Sequence, residues 1–348
     1  MRATQWLPRM VLGLIALGMT GPLSAQSLTG AGATFPYPIY SKWFDAYARK
    51  TGTKINYQSI GSGGGIRQFT QGTVDFGASD GPMTDEQIAA VKGNVVHLPT
   101  VLGAVVLTYN LPALGMTPLK LDAATVAAIF LGKITSWNDP RIAALNPGVK
   151  LPKMDLIVVH RSDGSGTTFV FVDYLSKVSP EWKNKVGTAT SVSWPTGLGG
   201  KGNEGVTQQI KQLEGSLGYV ELVYAASNKL PVALVKNAAG QYVEPTLEAV
   251  TAAASGAKLA KDTDFRVSIT NAGGAKSYPI ASYTWLLVKT DNPDAGKARA
   301  IRDFLTWMTT AEAQKMADDL GYAPLPSDVL GLVQARVKTL KTAGRPIG

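Results

Sequence analysis

Short apolar runs alternate with helical patterns along most of this chain, and several of the runs end in small polar turns. Residues 54–60 alternate polar and apolar side chains as a half-buried strand does, and the glycine-rich residues 61–65 follow. Residues 156–160 are apolar up to His160 and predict a buried strand, and residues 75–78 predict a short strand that ends at Ser79 and Asp80. Strands that alternate with helices in this way predict an α/β fold with a largely parallel sheet.

Two further apolar runs lie far apart in the chain, at residues 101–109 and 280–288. We interpret both as strands that cross between two lobes, since 348 residues suggest about two domains at roughly 100–200 residues each. This predicts a discontinuous lobe one, residues 26–103 and 283–348, and a lobe two of residues 104–282. The first and last segments of the mature chain would then share one lobe.

Residues 1–25 have the pattern of a secretion signal. Arg2 and Arg9 are the only charged residues there, an apolar run covers residues 10–19, and small residues precede a cleavage site after Ala25. The run is shorter than the roughly 20 apolar residues that a membrane span needs. We therefore expect export to the periplasm, with an uncleaved or amphipathic helix as the alternative.

Composition narrows the possible classes of function. The chain has no Cys and only two His, so we expect no disulfide, no lipid anchor on an N-terminal Cys and no transition-metal site. The formal net charge is +9, and removal of the signal with its two Arg would leave +7. The basic residues are scattered rather than clustered, which argues against nucleic-acid binding and is compatible with attraction of small anions.

Three segments share one arrangement: the end of a strand, a small polar turn and the start of a helix. They are residues 30–36, 61–65 and 163–167. A helix N-terminus presents free backbone N–H groups and a partial positive charge, while Gly lets an anion approach the backbone. Each turn alone fits ordinary helix capping, but three of them together, with Arg161 beside the third, indicate a site for a small oxyanion.

Charged residues near these turns refine that prediction. Arg161 can contact a tetrahedral anion through two N–H groups, and Asp163 can hold its guanidinium in place; a simple strand-end ion pair is the alternative. Asp80 is informative because an ionised carboxylate can only accept hydrogen bonds. It would accept the proton of phosphate and repel sulfate, which has none, whereas the alternative is that Asp80 only caps the turn before Gly81.

Other motifs carry less weight. Residues 197–202 match the pattern G-x-G-x-x-G, but the preceding residues include Pro195 and do not form a clean strand, so we expect no dinucleotide site. The chain has neither G-x-x-x-x-G-K-[ST] nor the nucleophile turn G-x-S-x-G. The missing motifs argue against a phosphatase. A binder of another oxyanion such as sulfate or molybdate, against which Asp80 argues, and an adhesion protein remain alternatives to a carrier without a chemical step.

The loops named above resemble those of the substrate-binding proteins of high-affinity phosphate ABC transporters, the PstS family. The most specific parts are the segments GAGATFP, GSGGG, GASDG and RSDGSGTTF. The resemblance covers nearly the whole chain after the signal, through residues 30–44, 56–69, 74–83, 131–148, 161–171, 194–205, 215–225 and 278–288.

The resemblance implies an α/β, two-lobed type II periplasmic binding protein fold with a hinge of two crossing strands. It implies a monomer without cofactor or catalytic residues, which binds inorganic phosphate and delivers it to the membrane permease subunits of an ABC transporter. By matching motifs, it implies phosphate contacts from Thr34 (hydroxyl and backbone N–H), Phe35, Ser62, Asp80, Arg161, Asp163 (which orients Arg161), Ser165, Gly166 and Thr167. The chain departs from the family pattern at Gly63, where a second Ser is common, and at His160, where another basic residue can occur.

Overall fold

The structure is a computed structural model that describes residues 27–347; the predicted signal, residues 1–25, lies outside the described residues. The first part of the chain contains β1 (Ser27–Gly32), α1 (Tyr37–Thr51), β2 (Lys54–Ser59), α2 (Ser62–Gln71), β3 (Phe76–Ser79), α3 (Asp85–Ala89) and the long strand β4 (Val95–Tyr109). The last part contains β11 (Ala281–Lys289), α11 (Ala295–Met308), α12 (Ala311–Asp318), α13 (Ser327–Val337), β12 (Lys341–Thr342) and β13 (Arg345–Pro346).

The middle of the chain begins with a 3-10 turn at Pro112–Leu114 and the short strand β5 (Lys120–Leu121). The next elements in the chain are α4 (Ala123–Phe130), α5 (Pro140–Leu145), β6 (Ile157–Arg161), α6 (Gly166–Val178), α7 (Pro180–Lys185), β7 (Leu198–Gly200), α8 (Gly202–Gln212), β8 (Ser216–Glu221) and α9 (Leu222–Ser227). A small sheet and a helix complete this part: β9 (Leu234–Lys236), β10 (Tyr242–Val243) and α10 (Leu247–Ser255).

The main sheet has eight strands in the order β2-β1-β3-β11-β4-β8-β6-β7. Strand β1 pairs in parallel with β2 and β3, and β6 pairs in parallel with β7 and β8. Between these two parallel groups, β11 and β4 run antiparallel to each other and to their outer neighbours. The sheet therefore has two parallel halves, as the alternating pattern predicts, joined by a central antiparallel pair.

The central pair corresponds to the two crossing strands predicted from the sequence. Strand β4 pairs with β11 through residues 95–104 and then with β8 through residues 105–109, so one continuous strand belongs to both halves. A register shift interrupts the pairing, because Thr284 faces Val101 whereas Trp285 faces Pro99, which leaves Thr100 as an extra residue. A bulge of this kind re-aims nearby side chains.

Large aromatic side chains fill the layers between sheet and helices. Trp43, Trp137, Trp182 and Trp285 are all fully buried, and Phe304 of α11 belongs to the same core cluster. Each indole N–H of the four Trp residues donates to a backbone carbonyl, as a buried polar atom requires. In residues 27–347, no helix is both long enough and apolar enough to cross a membrane.

Candidate functional site

The predicted site residues all lie at the carboxyl ends of parallel strands or at the helix starts that follow them. Thr34 and Phe35 follow β1, Ser62 begins α2, and Asp80 follows β3, all in one half of the sheet. The remaining five come from the end of β6, the loop after it and the start of α6 in the other half: Arg161, Asp163, Ser165, Gly166 and Thr167. Except for the partly buried Asp163, these residues are buried. This edge of an open α/β sheet is where such folds bind ligands.

Glycines bring the loops of the two halves into direct contact. The backbone N–H of Gly63 donates to the carbonyl of Gly164 at 2.9 Å. A β-carbon at Gly63 would lie only 3.0 Å from Cα of Gly164, so Ser at this position would crowd the neighbouring loop. Gly61 adopts φ of +84°, a conformation that side chains other than Gly disfavour. Small residues therefore allow the second and third turns to meet.

Arg161 is held by a bidentate ion pair with Asp163. Its Nε and Nη2 atoms lie 2.8 and 2.6 Å from the two carboxylate oxygens, and its Nη1 donates to Thr167 Oγ1 at 3.3 Å. The Arg161 side chain is 1% exposed. Burial is the largest single influence and raises the pKa of Asp163, but the hydrogen bonds and charge of Arg161, together with the backbone N–H of Gly202, leave this pKa below its ordinary value. The geometry fits the predicted orientation of Arg161 by Asp163.

Asp80 has one paired and one unpaired carboxylate oxygen. Oδ1 accepts from Thr284 Oγ1 at 2.7 Å, and the backbone N–H of Asp80 donates to Ser62 Oγ at 3.2 Å. Oδ2 is buried and has no hydrogen-bond partner among the described residues. Burial raises the pKa of Asp80 to about 7, against the lowering effects of Thr284, Arg161 and Ser62. The turn after β3 is bonded through Ser79, since Gly81 donates to Ser79 Oγ.

The start of α6 lies against Asp80 and Ser62. A β-carbon at Gly166 would overlap Asp80 Oδ2 and Ser62 Oγ and would lie 2.6 Å from the Asp80 nitrogen. The Ser165 hydroxyl caps the helix by accepting from Thr168 N at 3.0 Å, and the Ser165 N–H donates to the Thr190 carbonyl. Ser165 is therefore left with a hydroxyl hydrogen, and the first N–H groups of α6 have no carbonyl partner within the helix.

Sequence reasoning missed two side chains that contact this site. Asn203, in the first turn of α8, donates to Thr34 Oγ1 and Thr167 Oγ1, and Thr284 donates to Asp80. Each had a signal in the sequence: Asn203 directly follows the glycine-rich residues 197–202, and Thr284 is a polar residue inside an apolar strand. Strand β7 lies within that glycine-rich run rather than before it.

His160 brings no second positive charge to the site. Its ring stacks on Trp194 with centroids 4.8 Å apart, and its Nδ1 lies 3.0 Å from the Arg161 carbonyl. Burial lowers the pKa of His160, which favours the neutral ring at neutral pH. Within residues 27–347, no group of three or more acidic or His side chains is placed to hold a metal ion.

Comparison with known proteins identifies the family. Residues 20–312 match the model of the PBP superfamily domain. The chain is 47% identical to the phosphate-binding protein PstS of Haemophilus influenzae over 328 residues, which cover 94% of this chain and 97% of that one. It is 40% identical to PstS of Methanocaldococcus jannaschii over 334 residues, with coverage of 89% and 85%.

Solved structures share the fold at lower identity. One is a high-affinity periplasmic phosphate-binding protein (PfluDING) bound with phosphate, with TM-score 0.71, 23% identity and coverage of 89% of this chain and 93% of that one. Another is a human phosphate-binding apolipoprotein, with TM-score 0.73, 21% identity and coverage of 88% and 93%. The two-lobed type II periplasmic binding protein fold is thereby confirmed, and the chain belongs to the PstS family of phosphate-binding proteins.

Proposed function

We propose that this chain binds inorganic phosphate in the cleft between its two lobes and delivers it to an ABC transporter for import. Its PstS relatives are named as phosphate-binding proteins, and a related fold from Vibrio cholerae is an ABC-type phosphate transport receptor, with TM-score 0.57 and coverage of 86% of this chain and 100% of that one. The chain is a binding protein rather than an enzyme, and its transporter partners are the permease subunits.

The single observation that carries the proposal is Oδ2 of Asp80, an unpaired acceptor among hydrogen-bond donors. Ser62 Oγ accepts from the Asp80 N–H and so keeps its own hydrogen to donate, and Arg161 has guanidinium hydrogens beyond those given to Asp163 and Thr167. With the first N–H groups of α6, these groups would supply donors to a tetrahedral anion. An ionised carboxylate can join them only if the anion itself carries a proton. Phosphate at neutral pH has at least one O–H, whereas sulfate has none, so the arrangement favours phosphate.

The nine residues predicted from the sequence are proposed as the phosphate ligands and their support. Thr34, Phe35, Ser62 and Asp80 would bind from one lobe. Arg161, Ser165, Gly166 and Thr167 would bind from the other, with Asp163 orienting Arg161. The burial of all but Asp163 supports this assignment, because a fully dehydrated anion needs several donors from both sides.

The division into lobes is also part of the proposal. Lobe one is residues 26–103 and 283–348, and lobe two is residues 104–282. Strand β4 supports this boundary, because it pairs with β11 up to residue 104 and with β8 from residue 105. A phosphate bridging both lobes would favour the closed form by its differential affinity for that state.

Location and assembly follow from the same role. The signal predicted in residues 1–25 and the relative described as periplasmic support secretion to the periplasm. A carrier that diffuses to a permease needs neither nucleic acid nor a second copy of itself, so we propose a monomer. Light scattering of the mature chain, with a mass near that of one copy, tests the monomer.

Calorimetric titration of ligand-stripped protein tests the function. The mature chain should bind phosphate and give no measurable heat with sulfate at the same concentrations. Asp80→Asn replaces the acceptor-only carboxylate with an amide that can donate, so the ratio of sulfate to phosphate dissociation constants should fall by at least about tenfold. Unchanged selectivity in this variant would remove Asp80 from its role, and no phosphate binding by the unaltered chain would overturn the function.

A further inference from the structure

Asn203 lies between the two halves of the site and uses every hydrogen-bonding atom of its amide. It is completely buried in the first turn of α8, directly after the glycine-rich residues 197–202. Its contacts reach Thr34, which follows β1, and Thr167, which belongs to α6. The G-x-G-x-x-G run, which we did not expect to bind a dinucleotide, thus delivers a buried amide to the cleft.

The orientation of the Asn203 amide is determined by a backbone donor. The N–H of Glu221 points at Oδ1 of Asn203 at 3.0 Å, and a backbone N–H can only donate. The oxygen of the amide must therefore face Glu221, and the nitrogen must face the two Thr side chains. Nδ2 then donates to Thr34 Oγ1 at 2.8 Å and to Thr167 Oγ1 at 3.0 Å.

Both Thr oxygens accept a second hydrogen bond from a group that cannot accept one in return. Thr34 Oγ1 also receives the backbone N–H of Asn203 at 3.2 Å, and Thr167 Oγ1 also receives Nη1 of Arg161 at 3.3 Å. A hydroxyl has two acceptor positions and one hydrogen to donate. With both acceptor positions filled, each hydroxyl can act further only as a donor.

We propose that Asn203 is a positioning residue that makes the hydroxyls of Thr34 and Thr167 obligate donors to the bound oxyanion. The inference rests on the proposed function and explains one side of its specificity. Two hydroxyls that can only donate would face oxygens without protons. The unpaired Oδ2 of Asp80, which can only accept when the carboxyl is ionised, would face the oxygen that carries a proton. Because Thr34 and Thr167 come from opposite halves, the same amide also requires the closed arrangement.

Asn203→Asp tests the inference because it keeps the size of the side chain and replaces the donor with an acceptor. Both Thr hydroxyls would then donate to the new carboxylate, and the anion would lose two hydrogen bonds and gain a repulsive charge. Since a hydrogen bond to a charged group is worth about a factor of ten or more, phosphate affinity should fall by at least about 100-fold in calorimetry.

Asn237→Asp is the matched control. Asn237 is a buried amide whose Nδ2 donates to three backbone carbonyls away from the site. Thermal unfolding should show a loss of stability in this variant, while its phosphate affinity stays within about threefold of the unaltered chain. Equal losses of affinity in both variants would mean that a buried amide matters only for folding, and would overturn the inference.

A second set of variants keeps the test decisive if Asn203→Asp does not fold. Asn203→Ala should weaken phosphate binding in the unaltered chain, but by less than about twofold in a chain that carries Thr34→Val and Thr167→Val. The same loss in both backgrounds would contradict action through the hydroxyls. If the unaltered chain binds phosphate and Asn203→Asp binds it with an affinity within threefold of the unaltered chain, this inference alone is overturned. The proposed function then stands.

Discussion

At Asp80, the two carboxylate oxygens have different surroundings, since Oδ1 accepts a hydrogen bond from Thr284 and Oδ2 is buried without a partner. The hydrogen bond from Thr284 fixes the rotamer and favours the ionised group, whereas burial favours the protonated one. Thr284 is itself held within a buried chain: Thr100 Oγ1 donates to the Thr284 carbonyl and accepts from the Tyr40 hydroxyl. A carboxylate poised in this way can accept a ligand proton at neutral pH.

The raised pKa of Asp80 predicts how the ligand-free protein responds to pH. The unfolded chain loses this proton near pH 4 and the folded chain only near pH 7, so the folded state binds more protons between these values. Asp80 therefore makes the free energy of unfolding fall as pH rises from about 4 to 7, by up to roughly 4 kcal/mol. Urea unfolding of ligand-stripped protein at a series of pH values between 4 and 8 measures this change in the free energy of unfolding.

Two variants separate Asp80 from other titrating groups. Asp80→Asn should remove that part of the slope, and Thr284→Val should extend the falling region above pH 7, because the ionised carboxylate loses a hydrogen bond. Thr284→Ser keeps the hydroxyl and should behave like the unaltered chain. Parallel curves for the unaltered chain and Asp80→Asn would show that Asp80 titrates at its ordinary pKa.

At the scale of elements, α6 places its first turn against Asp80 and Ser62 only because Gly166 has no side chain. Within a helix Ala is ordinarily preferred to Gly, so helix propensity alone favours the opposite choice. The steric requirement comes from another element, the end of β3, whose Asp80 nitrogen would lie 2.6 Å from the added β-carbon. Close contact of two elements here overrides the local preference of one.

Gly166→Ala should therefore weaken phosphate binding by at least about 100-fold, because the added methyl group displaces α6 from Asp80 and Ser62 and costs a few kcal/mol of crowding. Gly256→Ala is the control: Gly256 follows α10 with φ of −79°, and its β-carbon would meet nothing within 4 Å. Calorimetry and thermal unfolding of both variants measure the difference. Equal affinities would show that α6 does not bind the anion through its first turn.

At the scale of the whole molecule, an ion pair at the rim joins the proposed lobes. Nη1 of Arg266, in residues 104–282, donates to the Met83 carbonyl at 3.1 Å and to Asp85 at 2.6 Å, while its Nε pairs with Asp264. Asp85 is 89% exposed, so solvent screens this pair. Its contribution is present only while the lobes are close, and it adds a small bias toward the closed form.

Arg266→Ala should weaken phosphate binding by about two- to fivefold, as expected for an exposed ion pair. The closed form loses contacts that the open form does not make, so the change should appear mainly as faster phosphate release. Stopped-flow experiments measure the rate of phosphate release. Lys315→Ala, which breaks the pair between Lys315 and Asp319, is the control. Wild-type release from Arg266→Ala would mean that the rim pair does not affect closure.

Much of the fold could be predicted from local patterns. Residues 54–60 and 156–160 correspond to Lys54–Ser59 and Ile157–Arg161, because alternation and apolar runs reflect the burial of the residues themselves. The turns at the predicted site follow from Gly and Ser in the same way. Strand β4 begins at Val95, ahead of the apolar run at residue 101, because pairing with β11 extends it. The nine proposed site residues are the ones that the resemblance to the PstS family implies.

Tertiary structure alone decided which distant side chains contact those groups and whether each Thr hydroxyl is left to donate or to accept. The Thr284 hydroxyl meets Asp80 across 204 residues, and the Asn203 amide meets Thr34 across 169. The bulge at Thr100 arises only when β4 pairs with β11. A local pattern records whether a residue is buried, whereas the direction of a hydrogen bond depends on a partner brought close by the packing of distant elements.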